Sequence, residues 1–316
     1  MEIRKIQVIG GTYVVSLPKK WAKGHSLKRG SKVTIEIGRE GAIVIYPFEK
    51  KETKKEIDIT YPVPSPKELY NEMTAAYLLG FNTIRIRSNA RISYEDREVI
   101  KDVVRRFMGL EITEEDSKSI TVQFLLEVET VEPKKAFKRM HMLTKGMFKD
   151  AITSILERDP RLSKIVIERD DEVDRLYFLL VRLLRSVSLD PSLAVKLGLT
   201  PIDCLDYRVA ASLLETVGDD AVEIAKVGIE GLSVKDKLIL KEISRQLEAM
   251  QDKAVDALLL RSRKEVDKIV ELYDKVGDAI ERSEKINGGF RLHELMKDIA
   301  RCSIDLVDLV IPFIRV

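Results

Sequence analysis

"DDEVDRL", Asp170 to Leu176, and "DKVGDAI", Asp274 to Ile280, are two versions of one phrase in a chain of 316 residues. In each, two aspartates stand four apart and project from one face of a helix. A phrase that returns inside a helical pattern marks an internal repeat. Working outward, helices are predicted from Pro133 to Arg158, Leu162 to Val187, Pro201 to Glu230, Val234 to Leu260, Ser262 to Ile286 and Phe290 to Phe313. Asp159-Pro160, Asp190-Pro191, Gly231 and Asn287-Gly288-Gly289 punctuate them. Thr200 to Asp203 and Ser233 to Asp236 read as capping boxes. The pattern predicts an all-α domain over 133–316, made of two three-helix-bundle repeats, 133–231 and 233–316, packed up and down.

Upstream the pattern changes. Over 54–131, strands at Glu56 to Tyr61, Thr83 to Arg87, Glu111 to Thr113 and Ser119 to Glu127 alternate with helices. Those helices are opened by Ser65 and Ser93 and run to Leu79 and about Phe107. This reads as a small α/β module with helices on one face, serving to connect or to form a dimer. Over 1–50 the reading is all β. Strands Ile3 to Val8, Tyr13 to Leu17, Lys32 to Ile37 and Ala42 to Tyr46 surround a helical turn from Pro18 to Lys23 that Gly24 closes. Turns fall at Gly10-Gly11 and over 38–41. So small a head buries little apolar surface alone and is expected to pair with a second copy, making a homodimer. Trp21 is expected to pin the turn to that dimer core.

Composition narrows the function. The chain is 45% hydrophobic and 34% charged, as in folded proteins, and no apolar run reaches the length of a membrane span, so a cytoplasmic chain without membrane insertion is expected. Cys204 and Cys302, its only cysteines, lie in predicted helices with no metal-ligand spacing. Residues 1–46 carry nine Lys/Arg against three Asp/Glu, net +6, and the remainder 45 against 49, net −4. A basic head on an acidic body points to an anionic partner at the head. No phosphate loop or nucleophile elbow appears, and His25, His141 and His293 are scattered, with the last two expected as surface or rim side chains. An enzyme, such as a metal-dependent hydrolase, is not expected. Gly146, Gly218 and Gly277 are expected to let helices approach closely.

Two stretches carry a resemblance. "VIGGTYVVSLPKKWAKGHSLKRGSKVTIEI", with Ser16-Leu-Pro-Lys19 ending a strand and Leu27-x-x-Gly-x-x-Val33 after a one-turn helix, resembles the AbrB/SpoVT type of swapped-hairpin DNA-binding domain. Trp21 and the insert Lys23-Gly24-His25 depart from that pattern. The resemblance implies DNA contacts from Arg4, Lys5, Lys19, Lys20, Lys23, Lys28 and Arg29, with Lys32 beside them. Such cations contact phosphate, giving salt-dependent affinity without reading bases. A merely solvated basic surface is the alternative.

Leu214-Glu215-Thr-Val-Gly-Asp219-Asp, with the phrase at Asp171 to Asp174 on the preceding helix, resembles the PhoU family of phosphate-uptake regulators. That family is built of two three-helix repeats and can hold metal clusters through such carboxylates. Paired carboxylates at helical spacing supply the oxygen ligands that hard cations take, although solvated charge is the simpler reading. The residues so implied are Asp170, Asp174, Glu215 and Asp219, for a divalent or iron-type ion. Asp274, Asp278, Glu294 and Asp298 are weaker candidates, because Arg301 stands where the second repeat needs its glutamate. The two resemblances together imply a transcriptional regulator of phosphate uptake that binds the promoter of phosphate-uptake genes. The alternative is an adaptor that docks on a phosphate transporter or sensor protein without binding DNA.

Overall fold

The computed structural model describes residues 2–37, 42–48, 55–232, 234–287 and 289–310. The expected turn over 38–41, Ser233 of the second capping box, Gly288 and the end of the last helix lie outside these residues. The chain divides into two compact units, Met1–Thr53 and Lys54–Val316.

In the first unit two short antiparallel hairpins stand apart as separate sheets. β1 (Gln7–Ile9) pairs with β2 (Thr12–Val14), and Gly10 and Gly11 take the left-handed turn that a side chain would resist. β3 (Thr34–Ile37) pairs with β4 (Ile43–Tyr46). The strands expected at Ile3 to Val8 and Tyr13 to Leu17 are shortened to these cores, because residues 3–6 and 15–17 have no ladder partner among the described residues. The helical turn α1 (Lys19–Gly24) starts after Pro18, and its left-handed exit falls on Ser26 rather than on Gly24. None of the described residues of this unit is buried.

In the second unit, β5 (Glu56–Tyr61), α2 (Pro66–Leu78), β6 (Thr83–Ser88), α3 (Tyr94–Arg105), β7 (Leu110–Glu115) and β8 (Ser119–Phe124) form the mixed module. Its sheet runs β5-β6-β8-β7, with β5 and β6 parallel and the other pairs antiparallel. Ser65 and Ser93 accept from the backbone N–H groups of Glu68 and Asp96, each fixing a helix start by about 1 kcal/mol. Leu69, Met73 and Tyr77 of α2 and Val103 and Val104 of α3 cover Ile84, Ile86, Ile120 and Val122 of the sheet.

The remainder is helical: α4 (Pro133–Glu157), α5 (Pro160–Leu189), α6 (Pro191–Leu197), α7 (Pro201–Ile229), α8 (Lys237–Leu260), α9 (Val266–Asn287) and α10 (Phe290–Asp308). α4, α5 and α7 pack together, as do α8, α9 and α10, and the contacts of α7 with α10 and α4 with α8 merge the two groups over one core. The short helix α6 was not foreseen. The carboxylate of Asp190 accepts from Ser192 and Leu193 N–H, so an Asp-Pro pair that reads as a break instead starts a helix. α5 likewise begins at Pro160, with Asp159 as its cap. α8 begins at Lys237 rather than Val234, capped by Asp236. The capping box at Thr200 is complete in both directions.

α5 belongs to both cores. Leu179 and Leu183 enter the core of the mixed module. Between them Arg182, 2% exposed, donates to the carbonyls of Tyr77 (2.5 Å) and Phe81 (2.9 Å) at the open end of α2. Its guanidinium carbon lies 3.9 Å from the centre of the Phe124 ring and 4.9 Å from that of Tyr77.

Candidate functional site: a carboxylate group between two helices

A glycine sets the spacing. A Cβ placed on Gly218 of α7 would stand 3.3 Å from Val173 and 3.6 Å from Thr144, so its absence lets α7 close on α5 at this level. Val173 lies between Asp170 and Asp174, and Gly218 adjoins Asp219. The close approach therefore brings the two carboxylate pairs face to face. Gly146 and Gly277 do not share this role, since nothing lies within 4 Å of a Cβ built on either.

Each carboxyl is shifted upward from its ordinary pKa. Burial, then Asp174, Asp219 and Asp171, push Asp170 up to about 6. Burial, then Asp219, Asp174 and Asp170, push Glu215 up to about 7, with Arg208 opposing. Asp174 is raised by burial and by Asp219 and Asp171, and relieved by Arg106 of the mixed module. Asp219, at the exposed rim, is raised by burial and by Glu223 and relieved by Lys226. Arg106 lies over the Tyr70 ring at 5.5 Å, and Tyr70 meets Phe178, one turn beyond Asp174 on α5. The mixed module thus edges the carboxylate group.

Among the described residues, no three His, Cys, Asp or Glu side chains converge as a ready-made ion site. The donor set is nevertheless hard oxygen, the chemistry that suits a hard cation.

In the second group the candidates are disposed differently. Asp274 and Asp278 are exposed on α9. Glu294 accepts from Lys297 at 2.8 Å and Asp298 from Arg301 at 2.8 Å, so each is neutralised one turn along its own helix.

One acid, Asp220, escaped the sequence reading. Asp220 is pushed up to about 7 by burial and then by Asp298, Asp219 and Glu223, and its Oδ2 is buried without a hydrogen bond among the described residues. Cys302 is driven up to about 12 by burial and by Asp220, Asp305 and Asp298. The signal was the doubled Asp219-Asp220: neighbours on a helix diverge by about 100°, so the first faces α5 and the second α10.

The expectation for His141 and His293 is corrected, since both are buried. His141 Nε2 lies 2.8 Å from Asp252, whose carboxylate also accepts from Lys145 at 2.7 and 2.9 Å, tying α4 to α8. His293 donates from Nδ1 to the Gly289 carbonyl (2.9 Å) and meets the Ser283 hydroxyl at Nε2 (3.0 Å). Both rings were misread because amphipathic spacing alone does not say that a polar ring has a buried partner.

On the head, Arg4, Lys5, Lys19, Lys20, Lys23, Lys28 and Arg29 are all exposed. Arg4 pairs with Glu2, whereas Lys19, Lys20 and Lys23 of α1 form no ion pair among the described residues. Trp21 is half-buried, edge-on to His25 at 5.2 Å.

Comparisons now bear on these two regions. Residues 137–227 match the PhoU domain family, and residues 6–55 match the family described as antidote-toxin recognition MazE, bacterial antitoxin. The C-terminal region is thus PhoU-like and the N-terminal region MazE/AbrB-like at family level. PhoU from Pseudomonas aeruginosa is similar at 16% identity and a TM-score of 0.46, over 58% of this chain and 95% of that one. The phosphate transport system regulatory protein PhoU from Streptococcus pneumoniae is similar at 13% identity and a TM-score of 0.45, over 57% and 92%. No curated protein sequence matches significantly. Among the described residues no helix is long and apolar enough to cross a membrane.

Proposed function

We propose that this chain is a non-catalytic regulator of phosphate homeostasis whose helical part docks on a component of a phosphate transport system. The observation that carries this is the match of residues 137–227 to the PhoU domain, because it falls on α4, α5 and α7, and α5 and α7 assemble the carboxylate group. Where that group holds an ion, Asp170, Asp174, Glu215 and Asp219 hold it, and the ion supplies the positive charge the site lacks. Binding of the full chain to the purified nucleotide-binding subunit of a phosphate transporter tests the docking. Saturable binding is expected, and none at micromolar concentration overturns it. Elemental analysis of the chain against Glu215→Ala/Asp219→Ala tests the ion, and equal metal content leaves these carboxylates as solvated charge.

A second reading makes the head a DNA-binding module and the chain a transcriptional regulator. What favours it is that none of the described residues of the head is buried, together with Ile6, Val8, Ile9, Tyr13, Ile35 and Ile37, each at least 60% exposed. A second copy laid across these strands would bury them, making a homodimer with doubled lysine rows. Gel shifts with promoter DNA of phosphate-uptake genes at two salt concentrations test it. Binding that weakens with salt and with Lys19→Ala/Lys20→Ala is expected, and no binding at low salt ends this reading.

A further inference from the structure

α7 is apolar on two faces. Its inner face buries Cys204, Tyr207, Ala210, Ala211 and Leu214 in the core of the helical region. On the outside, Ile202, Leu205 and Val209 are 65%, 68% and 47% exposed. Their spacing of three and four residues makes a short seam along one side of the helix, the pattern with which helices pair. A surface helix needs one apolar stripe, so the second calls for a cover.

The flanks of the seam say what kind. Asp206 and Arg208 lie on opposite sides of it, roughly 70–90° from its centre. Both are half-buried and neither forms an ion pair among the described residues. Arg208 rests over the Tyr177 ring, its guanidinium carbon 5.0 Å from the ring centre. One flank is thus acidic and the other basic, so the pattern complements itself. When two such helices lie parallel about a two-fold axis along them, each acidic flank meets the basic flank of the other; antiparallel, like flanks meet.

We propose that the Ile202–Leu205–Val209 seam of α7 pairs in parallel with the same seam of a second copy of this chain, locked by Asp206 of each copy against Arg208 of the other. The pairing stands independently of the head and of any bound ion. It also gives Arg208 two tasks, since the same guanidinium acts on Glu215 of its own chain. The interface therefore borders the carboxylate group.

The test is disulfide cross-linking of the full chain, with the buried Cys204 and Cys302 replaced by alanine. Leu205→Cys at micromolar concentration under mild oxidation should form a covalent dimer about a hundredfold faster than Leu238→Cys, a site on α8 that is 80% exposed and outside the seam. A rate no faster than at Leu238 overturns the proposal, and is the outcome if a different protein or another segment of the chain covers the seam. Asp206→Arg and Arg208→Asp should each slow the Leu205→Cys reaction, and the two together should restore it. A double variant as slow as the singles, with native circular dichroism, overturns the pairing of the flanks.

Discussion

The two three-helix groups carry the same aspartate phrase on their second helices and put it to different use. In the first, Asp170 and Asp174 look across a glycine-tight contact at Glu215 and Asp219, and burial together with the neighbouring carboxylates pushes Asp170 up to about 6 and Glu215 up to about 7. In the second, Asp274 and Asp278 face solvent, and Glu294 and Asp298 of α10 pair with Lys297 and Arg301. The phrase itself does not make a site; the helix opposite it does. The same carboxylate pair is crowded where the facing helix brings further acids that outweigh Arg208 and Lys226, and is merely solvated where it does not.

Gly218→Leu should break this contrast most severely. A side chain there meets Val173 and Thr144, so α5 and α7 separate, at a cost of about 1–3 kcal/mol and with loss of the upward pKa shifts at Asp170 and Glu215. Thermal unfolding and carboxyl NMR titration check both effects. Gly277→Ala, in the corresponding phrase of the second group, meets open space and should instead stabilise by up to about 1 kcal/mol through helix propensity. If both substitutions destabilise alike, the two groups are packed alike and the contrast fails.

Asp252→Ala comes next. It strips the acceptor from His141 and Lys145 at the join between α4 and α8 and should cost about 1–3 kcal/mol. Calorimetry should then show the groups melting less cooperatively, whereas an unchanged single transition means that this join is not what couples them.

The pH dependence is smaller and has a defined sign. Asp170 and Glu215 release their protons at about 6 and about 7 in the folded chain, against 3.8 and 4.5 as ordinary values. The folded state thus binds these protons more tightly, so stability from this source is greatest below about pH 4 and falls as pH rises through 6 to 7. In chelator-treated protein Glu215→Gln should be more stable than the parent at pH 8, by on the order of 1 kcal/mol after solvent screening, and no more stable at pH 4. Added Mn²⁺ should close the gap at pH 8 by stabilising only the parent. Equal melting of the two proteins at every pH contradicts the crowding.

Much of this contrast was legible in the sequence, because helix periodicity and capping chemistry are local. The Thr200–Asp203 box, the four-residue aspartate spacings and the strand-helix alternation over 54–131 required no knowledge of distant contacts. What escaped was decided elsewhere. Residues 3–6 and 15–17, expected as strand, have no ladder partner among the described residues. Asp220 has a buried carboxylate oxygen because α10 packs on α7, and His141 is a buried ring with Asp252 across from it. Two proline pairs read as breaks turned out to be starts, since Asp159 and Asp190 accept from the next turn.

Arg182 has a practical consequence for anyone wishing to isolate the helical part. Cutting the chain at Pro133, where the all-helical region begins, would leave Leu179 and Leu183 facing water and remove the carbonyls and rings that satisfy a guanidinium otherwise shut away from solvent. Such a fragment would aggregate or rearrange, and its failure to bind a partner would carry no information. A separable helical part has to begin before Glu56 and keep its sheet.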